Sequence, residues 1–178
     1  MIKKLLILAV GLSFVALFFW SAWFSANTKS EFLGVINELD GLTDKSVEII
    51  GNQPTLASVN EAKLFIDGRK AGIIEKIRGF RNEGRLREKS NDDIQLGYAA
   101  EDNKNKIAKV YDDFVDKAKN DIRSLDEEKE RLLKANKKLS NADIDNLEQK
   151  SKLIEENIDV VKALDNLMTS YETIFENK

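Results

Sequence analysis

The chain contains no histidine and no cysteine. It therefore has no side chain that ordinarily titrates near neutral pH, and it lacks the commonest transition-metal ligand. It can form no disulfide, no thiolate nucleophile and no lipid-bearing cysteine of the lipoprotein kind. Cysteine–histidine and serine–histidine catalytic pairs are excluded, and no glycine-rich phosphate loop is present. A serine–lysine dyad remains formally open, but every serine near a lysine reads as a cap or as part of a polar face. The composition points to a protein without catalytic residues, cofactor or metal.

Helix breakers are scarce as well. Pro54 is the one proline, and no glycine follows Gly97, so the second half of the chain favours long uninterrupted helices. That half is where the apolar pattern is strongest. Tyr111, Ala118, Leu125, Leu132 and Leu139 recur seven apart, with Ile107, Phe114 and Ala135 in a companion row and Val115 and Ile122 beside it. Leu147, Ile154, Val161, Met168 and Phe175 repeat the device next to Leu153, Val160, Leu167 and Ile174, with Leu164 and Tyr171 adjoining. Two sustained heptad segments joined by a short polar turn predict an antiparallel helical hairpin. The apolar stripe of the last segment is too wide for one neighbour, which calls for a bundle of four helices.

Long apolar runs are absent except at the start. Lys3 and Lys4 precede Leu5–Phe24, a run interrupted only by Gly11, Ser13 and Ser21. About 20 apolar residues match the hydrocarbon core of a bilayer. Candidate cleavage sites carry Trp20, Trp23 or Phe24 where small residues are needed, which favours an uncleaved anchor over a signal peptide. The expected organisation is a transmembrane signal-anchor over residues 1–26 and an extracytoplasmic helical domain over 27–178. It would be single-pass in the cytoplasmic (inner) membrane with the N-terminus inside.

The fold class expected is all-α: the anchor, then an elongated antiparallel bundle with helices over about 28–50, 59–88, 91–139 and 141–176. Gly51-Asn-Gln-Pro54 is the clearest break. Ser58 with Glu61, Ser90 with Asp93 and Ser140 with Asp143 read as helix starts. Val59, Ile66, Ile73 and Phe80 form the core row of the second helix, whose Gly68, Gly72, Gly79 and Gly84 would let a neighbouring backbone approach closely. The pattern leaves open whether Gly97 interrupts the third.

Two surfaces stand out. The stretch Asp67–Lys89 holds a basic run ending in Arg81, Arg85, Arg87 and Lys89. If the second helix returns toward the membrane, these four would meet anionic headgroups, each contributing ~1 kcal/mol; a solvated face paired with the acidic last helix is the plainer reading. Nucleic acid is not an expected partner, given a net charge of −3. Asp112 and Asp116 lie one turn apart without the glycine turn of a calcium loop, so a solvated face is preferred to a cation site. The second surface is the outer end of the hairpin. Leu132, Leu133, Leu139, Ile144 and Leu147 present more apolar surface than two helices can shield, and Leu133 falls off the heptad row.

The function expected is a membrane-anchored interaction or structural module of the cell envelope. Its contacts would be lipid through the anchor and a protein partner, or a second copy, through the hairpin. One alternative is a ligand-sensing bundle working through another membrane protein. The layout also resembles that of the inner-membrane spanins of phage lysis, with one N-terminal anchor and an outer coiled coil, which would imply a lysis or envelope-spanning role.

Overall fold

The computed structural model describes residues 29–135 and 139–176, and all its regular structure is helical. Helix α1 covers residues 29–50, α2 Leu56–Asn82, α3 Asn91–Lys134 and α4 Asn141–Glu176. Among the described residues no helix is long and apolar enough to cross a membrane. The anchor expected over residues 1–26 lies outside them.

The helix boundaries follow from local chemistry. At the end of α1, Gly51 takes a φ of +68° and donates its amide to the Val47 carbonyl, a left-handed stop that glycine adopts without steric penalty. Thr55 then caps α2. Its hydroxyl accepts from the Ser58 amide, and the Ser58 hydroxyl accepts from the Thr55 amide. The helix therefore starts at Leu56 rather than at Val59, with Ser58 as the third helical residue instead of the cap.

It also ends early, at Asn82 rather than near residue 88. Gly84 at φ +72° donates to the Arg81 carbonyl, and Arg85 donates to that of Phe80, the paired bonds of a Schellman stop. Ser90 and Ser140 cap α3 and α4 as their sequences require, each accepting from the amide of the aspartate three residues on. Gly97 does not break α3, which runs for 44 residues, or about 66 Å. Its last turn is at Lys134, short of the expected Leu139.

The helices alternate up and down. α4 lies against both α2 and α3, which occupy the diagonal. α1 closes the square, tied to α2 by the Lys76–Glu38 ion pair. It is tied to α3 by hydrogen bonds from Asn103 to Asp40 (2.7 Å) and from Lys106 to Asp44 (2.9 Å). The row Val59, Ile66, Ile73 and Phe80 is buried, as is the Val160, Leu167 and Ile174 row of α4; Val161, Met168 and Phe175 are half-buried. Phe32 meets Phe80 edge-on at 5.7 Å between ring centres, so the start of α1 and the end of α2 share one end of the bundle.

Candidate functional site

At that end, the basic run does not present a uniform face. The Arg85 guanidinium lies 4.5 Å from the centre of the Phe80 ring and 5.8 Å from that of Phe32. It bonds Asp92 at 3.2 Å, and the Arg85 carbonyl accepts from the Ser90 hydroxyl. Arg85 is thus turned inward and joins the α2–α3 loop to α1. Arg81 is half-buried, while Arg87 and Lys89 are exposed. Of the four residues named for headgroup contact, those two are the most accessible.

The opposite end is built differently. Gly51, Asn52 and Pro54 of the α1–α2 turn share a cleft with Val110, Asp113, Phe114 and Lys117 of α3. Beyond Lys117, α3 continues for about 25 Å with α4 as its companion. Their seam is carried by Asp121, Leu125, Glu128 and Leu132 on α3 and by Leu147, Lys150, Ile154 and Asn157 on α4. All eight are at least half-buried, with the three-and-four spacing of a two-stranded coil. Asn157 donates to Asp121 at 2.8 Å, and Lys150 lies 3.4 Å from the Ser124 hydroxyl. Arg131 beside Glu128 holds that carboxyl below its usual range, with Lys150 adding to the effect.

Leu125 is the last buried residue on α3 before the tip, and Asn157 the first buried one on α4 after it. Of the residues named for partner contact, Leu132 and Leu147 therefore belong to the seam. Leu133 is 79% exposed, Leu139 43% and Ile144 41%, and these three are offered to solvent.

Two polar clusters inside the bundle escaped the sequence reading. Ser170 is buried on α4 and donates to Asp67 of α2 while accepting from Lys70 at 3.0 Å. Lys63 first, then Lys70 and Ser170, hold the Asp67 carboxyl far below its usual range. A hydroxyl donating to a carboxylate that already neutralises two ammonium groups is a structural tie, not an activated nucleophile. This corrects the expectation that serines near lysines sit only at caps or polar faces, because Lys70 arrives from another helix. The second cluster gathers Thr43, Asn103 and Tyr171, all buried. Burial pushes the Tyr171 phenol up to about 12, with Thr43 and Asn103 beside it offsetting part of the effect. The Tyr171 hydroxyl, Thr43 Oγ1 and Asn103 Oδ1 complete no well-directed hydrogen bond. Asn103 was legible in principle, since it occupies the inward row of Leu96, Ile107 and Phe114.

Among the described residues no group of three or more carboxylates could hold a metal ion. A side chain on Gly68, Gly72 or Gly79 would meet nothing within 4 Å, so among the described residues no backbone uses the approach those glycines allow. Comparison with protein-family models, with curated proteins and with solved structures finds no match.

Proposed function

We propose that this protein is an interaction module of the cell envelope. Residues 1–26 hold it at the cytoplasmic membrane, and the free end of the α3–α4 hairpin is its working surface. The observation that carries the reading is Leu133, 79% exposed on a two-helix coil that outruns α1 and α2. Leu139 and Ile144 are exposed beside it, and contiguous apolar surface at the end of a projecting element supports an interaction site. The anchor rests on the apolar run Leu5–Phe24. Arg87 and Lys89, exposed at the end of the bundle where α1 begins, would meet the headgroups of the same membrane.

The test uses the full chain in intact cells, with a photoreactive residue at Leu133 and, as control, at Leu64. Leu64 is 72% exposed on α2, away from the projecting coil. Protein adducts at Leu133 and none at Leu64 are expected, with the chain in the membrane fraction after alkaline extraction. Equal labelling at both positions, or release of the chain by alkali, would overturn the reading.

A further inference from the structure

The apolar residues of the projecting coil are distributed to one side. Relative to the seam, Ile122 and Leu133 lie one residue onward from Asp121 and Leu132 on α3. Ile144 and Ile158 lie one residue onward from Asp143 and Asn157 on α4. In an antiparallel pair of right-handed helices these two rows fall on the same face. All four are exposed, at 42%, 79%, 41% and 44% respectively. Leu153, at 43%, is the large exposed apolar residue on the other face. That other face continues into the side carrying Asn103 and Ser170, which bond α1 and α2. The four-residue face is thus the outer side of the α3–α4 layer, and neither α1 nor α2 covers it.

The Asn157–Asp121 and Lys150–Ser124 contacts fix the antiparallel register. Leu133 then stands level with Ile144, Lys129 with Glu148, and Ile122 close to Ile158. Nearer the base, Lys104 and Glu172 are level and already joined. Lys129 and Glu148 are exposed and form no ion pair among the described residues, although Arg131–Glu128 and Lys134–Glu130 beside them do.

We propose that this face seats the same face of a second copy, about a two-fold axis parallel to the hairpin. The inference deepens the interaction-module reading and rests on it: the partner of the hairpin is another molecule of this chain. A parallel two-fold sets α3 of one copy against α4 of the other with every height preserved. Leu133 then meets Ile144 of the other copy and Lys129 meets Glu148, each twice, with Ile122 and Ile158 of the other copy about one helical turn out of level. An antiparallel two-fold would set α4, with Glu148, Glu155, Asp165 and Glu172 near this face, against itself. The face is about 45 Å long from Lys104 to Lys134 and roughly two helix diameters wide. It can bury on the order of 800 Å² per copy, the size of a standard specific interface.

Charge exchange in the full chain, purified in mild detergent, tests the arrangement by light scattering. The unmodified chain should weigh twice 20.2 kDa after correction for detergent. Lys129→Glu and Glu148→Lys should each weaken the dimer at least tenfold, and the double variant should restore it. Because the chain is free of cysteine, Leu133→Cys mixed with Ile144→Cys should crosslink through a short bismaleimide, more than Leu133→Cys mixed with Ile158→Cys. A monomer at ~100 μM, or a dimer indifferent to both charge reversals, overturns the inference. If the chain is monomeric yet Leu133 labels a different protein in cells, the interaction-module reading survives and the self-association does not. If nothing labels at Leu133, both fail.

Discussion

Asn157 of α4 reaches Asp121 of α3 at 2.8 Å, and this bond joins the two regimes of the molecule. On one side lies a four-helix core with fully buried leucines and isoleucines. On the other, only Leu125 is still buried among the described residues, and the coil is held by half-buried polar and apolar rungs.

Asn157 is 5% exposed, and its amide donates to a carboxylate, so the bond is stronger than a neutral one. Asn157→Ala should lower the free energy of unfolding by about 1–2 kcal/mol. Pairing Asn157→Leu with Asp121→Leu should recover it, because the partly dry site then holds no unpaired polar group. Urea denaturation of the full chain in detergent, with both variants at one pH, measures the difference.

Leu133 and Leu164 are the same residue type in opposite surroundings, at 79% and 0% exposure. Leu133→Ala should change stability by less than about 0.5 kcal/mol. Leu164→Ala, which opens a cavity between helices, should cost about 2–5 kcal/mol. A thermal scan separates them readily. A large loss from Leu133→Ala would place that residue in a core it does not occupy here.

Tyr171 gives the clearest pH dependence. Its phenol is pushed up to about 12 by burial, above the ordinary value near 10. Folding therefore favours the protonated form. The contribution is fully present below pH ~10 and is lost as pH rises toward 12, roughly 2–3 kcal/mol in all. Tyr171→Phe should cost under about 1 kcal/mol at neutral pH, since the hydroxyl makes no well-directed bond. Between pH 9 and 11.5 the urea midpoint of the unmodified protein should fall more steeply than that of the variant. Parallel curves would show that Tyr171 ionises as freely folded as unfolded.

Arg85 should not tolerate lysine. Its plane lies over Phe80 while its fork reaches Asp92, and an ammonium cannot do both. Arg85→Lys should cost about 1 kcal/mol and Arg87→Lys almost nothing. Amide exchange in the 83–90 loop should accelerate in the first variant alone.

How much of this could be read from the chain depends on the range of the interaction. Val59, Ile66, Ile73 and Phe80 are spaced by the helix itself, so their burial was legible, as were the caps at Ser90 and Ser140. The exposure of Leu133 followed from its offset beside Leu132. The ends of α2 were missed because two neighbouring signals compete at each. Thr55 caps as well as Ser58 does, and Gly84 stops a helix whose basic pattern runs on to Lys89. Arg85 was read as surface because its partners Phe32 and Asp92 come from α1 and α3. Lys70 and Ser170 are 100 positions apart, and no local pattern relates them. Local pattern alone left the fate of Gly97 open; α3 runs unbroken through it, beside the buried Leu96.

The projecting coil is also a ruler whose length is separable from its base. Its seam repeats every seven residues, and among the described residues no helix but its own two reaches past the α1–α2 turn. Removing seven residues from each arm, between Leu125 and Leu132 and between Leu147 and Ile154, would leave every remaining rung in phase. The reach would shorten by about 10 Å while the four-helix base stayed as it is. Removing three or four instead would turn the outer rows away from their present side. The distance at which this protein makes contact can therefore be reset in heptad steps without renegotiating its fold.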